Sequence, residues 1–181
     1  MNDQFFKLKY SGDFCILFII LTYFKFPKSF IDATRYFLIK SWNYDNVLTS
    51  QRDGVWATQP HNEAILTEAF KTSRQVILVF SVNKSMAFQG YARMLSLPGT
   101  APSPQWTKQL LWKSSPPFNI QWITIAETRF SHTKHIKNAL NDGQLVLIGR
   151  DGQEIDETAG RQLCELIDDG GKRFGSGGGD Y

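Results

Sequence analysis

Val76-Ile77-Leu78-Val79-Phe80-Ser81-Val82 is an apolar run broken only by Ser81, set between the polar residues Ser73-Arg74-Gln75 and Asn83-Lys84-Ser85. Continuous β-branched character of this kind predicts a strand buried on both faces. Such a strand needs neighbouring strands and a covering layer on each side. Upstream, Tyr36-Phe37-Leu38-Ile39 within Arg35–Lys40 predicts a second strand. Asn43–Asp53 carries Val47 and Leu48 at helical spacing and ends at Gly54, a natural helix stop. After Pro60, Asn62 is expected to cap a helix whose apolar face is Ile65, Leu66, Ala69 and Phe70. Downstream, strands are expected at Phe88–Leu95, at Ile120–Ile125 with Trp122 as a core residue, and at Leu145–Ile148. Asp151-Gly152 predicts a tight turn returning Gln153-Glu154-Ile155 as a hairpin, and Glu157–Ile167 a closing helix buried through Ala159, Leu163, Leu166 and Ile167. The pattern is a mixed α/β domain in which strands outnumber helices.

At 181 residues, with 42% hydrophobic and 20% charged residues, the chain has the length and composition of one folded domain. Its net charge of +3 conceals a division. Residues 36–150 carry 12 Lys or Arg against 6 Asp or Glu, and residues 151–181 carry 3 against 8. A basic body favours a polyanionic partner, because Lys and Arg neutralise phosphate whatever the sequence of a nucleic acid. Cys15 and Cys164 offer neither a disulfide framework nor a metal cluster, so a reducing intracellular compartment is expected. The apolar segment 14–26 falls short of the roughly 20 residues that span a bilayer, and no membrane role follows from it. Residues 1–32 therefore read as an appendage without assigned role. Gly175-Ser176-Gly177-Gly178-Gly179 marks 169–181 as a flexible tail.

Two features point to a flat ligand. Trp56 lies in the polar, glycine-broken stretch Gly54-Val55-Trp56-Ala57-Thr58, where its ring is expected to be exposed at a turn. Residues 96–117 hold five of the seven prolines together with Trp106 and Trp112, the composition of an irregular loop that closes over something.

The order of segments resembles the YTH domain. The likeness covers about residues 33–168 and rests on Arg35-Tyr36-Phe37-Leu38-Ile39-Lys40-Ser41, Asn46-Val47, Gly54-Val55-Trp56-Ala57-Thr58, Pro60 with Asn62-Glu63, Ala69-Phe70, Val79-Phe80-Ser81-Val82, Phe88-Gln89-Gly90-Tyr91-Ala92-Arg93, Phe118–Trp122 and Gly149-Arg150-Asp151-Gly152-Gln153-Glu154-Ile155. Lys40-Ser41 followed by Asn46-Val47, with the Arg150–Ile155 run, is closer to the nuclear-type readers. The resemblance implies a twisted, barrel-like mixed sheet packed by α-helices (YTH, PUA-like). It also implies a non-catalytic, monomeric reader of N6-methyladenosine in single-stranded RNA that acts in mRNA fate, with the nucleus favoured over the cytoplasm, and it implies no cofactor or metal.

Carried onto this sequence, the resemblance makes Trp56 one wall of an aromatic cage. Trp106 is the second wall with Leu111 or Trp112 as floor, and Trp112 is the alternative second wall. Two such walls sandwiching a base stand about 7 Å apart. Asn46 would donate its amide to adenine N1, the Ala57 carbonyl would accept the N6 hydrogen, and the backbone amide of Trp42 would face the base. Lys40 and Arg150 would contact phosphate, with Ser41 and Asp151 supporting the backbone path and Thr58 completing the set. The alternative within the fold is a YTH-like domain reading an unmethylated motif through its basic face.

Other classes fit less well. Asp151 with Glu154 has the composition of an acid/base pair, but Asp-Gly is accounted for by a turn. His132, His135 and Cys164 lack the second close pair usual in metal sites. A pure protein-interaction module would explain the loop tryptophans but not the basic body.

Overall fold

The computed structural model describes residues 33–109 and 113–175. The apolar segment 14–26, Leu111, Trp112 and residues 176–181 lie outside them. The run that opens the sequence analysis becomes β3 (Gln75–Val82), a central strand. It pairs in parallel with β1 (Thr34–Ser41), from Thr34 opposite Gln75 to Ser41 opposite Val82, and antiparallel with β4 (Ala87–Met94). A parallel pair requires a crossover, here α1 (Tyr44–Asp53), the short strand β2 (Val55–Trp56) and α2 (Glu63–Thr72). β4 continues the sheet to β5 (Phe118–Thr124), which pairs with β2, and also pairs with β6 (Thr128–Arg129). β7 (Lys137–Asn138) and β8 (Gln144–Leu145) form a separate two-stranded ladder, and β9 (Glu154–Ile155) pairs antiparallel with the outer edge of β1.

Among the described residues the large sheet has seven strands, ordered β2-β5-β4-β3-β1-β9 with β6 branching from β4. The mixed α/β class holds, and the sheet is an open path rather than a closed barrel. Side chains alternate along β1 and β3, so each strand feeds two cores. Phe37, Ile39, Val76, Leu78 and Phe80 pack with Leu66 and Ala69 of α2 and with Trp56 and Trp106. Tyr36, Leu38, Ile77 and Val79 pack with Ala159, Leu163 and Ile167 of α3 (Glu157–Gly175). Trp122 is half-buried against the first core, its ring 4.5 Å from that of Phe80 and tilted by 33°, with its Nε1–H donating to Ser50 Oγ at 3.2 Å.

Several local expectations change in three dimensions. Asn62 does not cap α2 with its side chain; a 3₁₀ turn, Pro60–Asn62, precedes the helix, and the amide is recruited elsewhere. Asp151-Gly152 does form a turn, but the returning segment pairs with β1 instead of closing a hairpin on 145–148, because Gly152 N–H and Leu38 N–H bond across to the Leu38 and Gln153 carbonyls. Residues 146–148 are turn and bend, and only Gln144–Leu145 is strand. Helix α3 continues through 169–175, where the composition predicts a flexible tail. Tertiary contact overrides the poor propensity of Gly170-Gly171: Asp168 accepts from Tyr91 and Thr124, and an added Cβ at Gly171 would already touch Thr124 and Ala126. Within the irregular loop, Gln105–Gln109 forms a 3₁₀ turn.

Candidate nucleic-acid interface

The C-terminal ends of β1 and β2, with the residues that follow β2, and the segment before β9 meet around one cavity. Gly54 ends α1 in the left-handed conformation (φ 65°), its N–H on the Ser50 carbonyl, and turns the chain directly into β2 and Trp56. Asp151 locks the three segments together. One carboxylate oxygen accepts from the Lys40 backbone N–H at 2.8 Å, and the other accepts from Asn62 Nδ2 at 2.8 Å and Thr58 Oγ1 at 3.2 Å. Burial pushes the Asp151 carboxyl above its ordinary value, against the pull of the hydrogen bonds from Lys40, Thr58 and Asn62 and of nearby His61. Gly152, at φ 81°, leaves room for Asn62: a Cβ there would lie 2.0 Å from Asn62 Oδ1. This is where the Asn62 amide goes in place of the helix cap.

Around this lock lies a cavity of about 530 Å³ lined by Lys40, Ser41, Trp42, Asn46, Trp56, Ala57, Thr58, Trp106, Arg150 and Asp151, with Gln59, Asn83 and Gly149 added. All ten of the described residues named from the sequence thus converge. Leu111 and Trp112 lie outside the described residues. Gln59 and Gly149 are sequence neighbours of recognised blocks. Asn83 carries no such signal; the parallel register of Ser41 with Val82 brings it in, and its N–H donates to the Ser41 carbonyl at 2.9 Å.

The aromatic part is closed. Trp56 is 3% exposed and Trp106 8%, so the Trp56 ring is not the exposed turn residue its polar neighbours suggest. It stands in β2, edge-on to Phe80 at 5.0 Å and 88°, and belongs to the first core. Trp106 lies 5.1 Å from it, tilted by 41°, instead of facing it at the spacing a sandwiched base needs. Both indole Nε1–H groups are buried without an acceptor among the described residues. The turn carrying Trp106 is closed locally by Thr107, whose N–H and hydroxyl reach the Pro104 carbonyl at 3.1 and 2.7 Å. Farther along, Thr58 and Ser115 anchor the loop through Ser115 N–H to the Thr58 carbonyl (2.7 Å) and Thr58 N–H to Ser115 Oγ (3.1 Å).

Polar groups in the cavity divide into committed and uncommitted. Ser41 Oγ donates to the Asn43 carbonyl, and Asn43 Oδ1 caps α1 by accepting from the Asn46 N–H. Asn46 is 7% exposed as a residue, and its side chain has no hydrogen bond to the described residues. An amide that lines the cavity with no hydrogen bond to the described residues keeps its donor and acceptor available to a ligand. Lys40 Nζ sits over the Phe130 ring at 5.5 Å, and burial holds its ammonium below the ordinary lysine value, opposed by Asp151. Arg150 is exposed, with no ion pair among the described residues. The described residues contain no group of three His, Cys, Asp or Glu placed to hold a metal ion, and no helix long and apolar enough to cross a membrane.

Residues 34–168 match the family model for the YT521-B-like domain, YTH. The chain belongs to the YTH family. It is 45% identical over 143 residues to YTH domain-containing protein 1 of Drosophila melanogaster, a match covering 74% of this chain and 19% of that protein. It is 39% identical over 137 residues to the 30-kDa cleavage and polyadenylation specificity factor 30 of Arabidopsis thaliana, covering 75% of the chain and 22% of that protein. The chain thus spans about a fifth of the length of these relatives. Among solved structures, the Toxoplasma CPSF4 YTH domain in complex with a 7-mer m6A-modified RNA superposes with a TM-score of 0.71 at 33% identity, covering 76% of this chain and 93% of that one. The YTH domain of Zygosaccharomyces rouxii MRB1 in complex with N6-methyladenosine RNA gives 0.67 at 27% identity, covering 76% and 87%.

Proposed function

We propose that residues 33–168 form a non-catalytic reader of N6-methyladenosine in single-stranded RNA, acting in mRNA processing or stability in the nucleus. The observation that carries this reading is the Asn46 side-chain amide, with no hydrogen bond to the described residues, in a cavity also lined by Trp56 and Trp106. The solved YTH domains with methylated RNA support it.

In this reading a methylated adenine, lifted out of its stack, enters between the two indoles. Entry separates the 5.1 Å pair to about 7 Å, and Trp106, on the loop, moves more readily than Trp56 in β2. Asn46 donates to adenine N1, and the Ala57 carbonyl takes the remaining N6 hydrogen. Lys40 and Arg150 hold the flanking phosphates, the arginine in bidentate fashion. Ser41, Thr58 and Asp151 keep the three segments in register. Burying one methyl group contributes about 0.8 kcal/mol, and dispersion against the rings brings the preference to about 1.5–2.5 kcal/mol, roughly ten- to seventy-fold.

The closed tryptophan pair favours a second reading, a YTH domain that takes an unmethylated motif along its basic face. Paired titrations of one RNA sequence with and without the methyl group separate the two. A ratio of at least about tenfold supports the cage, and a ratio near one supports the basic-face reading.

A further inference from the structure

Trp42 is 74% exposed, the most exposed of the large apolar side chains among the described residues, yet it lines the same cavity whose other two tryptophans are buried. Its backbone is held on both sides. Ser41, at the end of β1, bonds the Asn43 carbonyl through its hydroxyl and accepts from the Asn83 N–H through its own carbonyl. Asn43 in turn caps α1 through the Asn46 N–H. An indole on a pinned backbone, beside Lys40 and Arg150, is pre-organised to receive a flat partner at small entropic cost.

We propose that the Trp42 indole is the stacking platform for the nucleobase adjacent to the one held between Trp56 and Trp106. Lifting one base out of a single strand strips its neighbour of a stacking partner, and an exposed ring at the rim restores that contact. Every base has a π-face, so the platform adds affinity while tolerating any base at that position. This inference rests on the pocket reading above, and it concerns the ring of Trp42, whereas the backbone amide serves the pocketed base.

The test uses the full chain and a labelled nine-nucleotide RNA with one central N6-methyladenosine, together with its unmethylated twin. Two further RNAs carry an abasic ribose on the 5′ or the 3′ side of the methylated base. Fluorescence anisotropy gives the affinities of the wild type, Trp42→Ala and Trp42→Phe. We expect Trp42→Ala to weaken methylated RNA at least about fivefold while the methylated-to-unmethylated ratio persists. Trp42→Phe should retain most of the affinity, and an abasic site on one side should weaken the wild type but hardly affect Trp42→Ala. The platform is overturned by unchanged affinity in Trp42→Ala, by equal abasic sensitivity in both proteins, or by a Trp42→Phe loss as large as that of alanine. It is also overturned if Trp42→Ala leaves RNA binding intact but abolishes self-association of the wild type, which would make the ring a contact for a second copy. A wild-type methylation ratio near one overturns the pocket reading itself. An unchanged Trp42→Ala affinity with that ratio preserved overturns only the platform.

Discussion

On the α3 side of the sheet, Tyr91 donates its hydroxyl to both Asp168 oxygens at 2.9 and 3.0 Å, and Thr124 donates to the same carboxylate at 2.5 Å. On the opposite side, two indole N–H groups are buried without an acceptor among the described residues, and the Asn46 amide lines the cavity with no hydrogen bond to them. The first face has settled its polar groups internally, with Thr128 Oγ1 as an exception, and is built for stability. The second keeps its donors free where the three chain segments locked by Asp151 open into a cavity. Buried polar groups without partners cost folding free energy, and under the proposed function the two indoles carry that cost at the face that receives the base.

The largest effect expected to sharpen this contrast is that of Trp56→Ala. Because the ring belongs to the core as well as to the cavity, the substitution should cost about 3–5 kcal/mol of stability and reduce the preference for methylated RNA to within about threefold, leaving weak, salt-sensitive binding. Urea denaturation and paired titrations measure the two; a preserved preference would remove Trp56 from the cage. Asp151→Ala should cost about 2–3 kcal/mol, since Lys40 N–H, Thr58 and Asn62 all lose their acceptor. Asn46→Ala reverses the pattern: about tenfold weaker binding of methylated RNA, with stability changed by no more than about 0.5 kcal/mol. A large stability loss there would mean that the amide is structural after all. Because Asn46 does not titrate, methylated-base recognition by the wild type should be flat between about pH 5.5 and 8.

Smaller still, Arg150→Ala should weaken methylated and unmethylated RNA alike and lower the slope of log K against log salt by about 0.7. A selective loss for methylated RNA would place Arg150 at the base instead. The subtlest test falls on the α3 face. Burial and the Asp168 charge push the Tyr91 phenol from 10.0 to about 12. A raised pKa stabilises the fold while the group is protonated, so this contribution is complete below about pH 10 and is lost as pH rises towards 12. Wild type should therefore lose stability relative to Tyr91→Phe across that window; parallel pH profiles would dissociate Tyr91 from the effect.

Much of this was legible in residue order. The apolar run at 76–82, the Gly54 stop and the helical face of 157–167 are local signals set by side-chain period and backbone preference; the first two reappear with bounds only slightly moved, and the third starts where expected but runs on to Gly175. The blocks around Lys40, Asn46, Trp56 and Arg150, with Trp106 from the proline-rich loop, named ten cavity residues, because the chemistry of each sits in its own side chain or in the local chain path. Legibility failed where a residue's role depends on a distant partner. Asn62 has the composition of a helix cap, but Asp151, 89 positions away, takes its amide. Asp151-Gly152 has the composition of a hairpin, yet β1 offers the returning strand a better-placed edge.

The sequence by itself determined the strands and helices, the basic body and the family, because periodicity, turn chemistry and ordered blocks are properties of neighbours along the chain. Only the tertiary structure decided that Trp56 is buried against Phe80 and closed upon Trp106, that Asn83 joins the site, and that Trp42 is the ring left facing solvent. Burial and ring spacing are set by strand pairing and core packing between segments far apart in sequence, and a polar flank to a tryptophan carries no record of what packs on it from elsewhere.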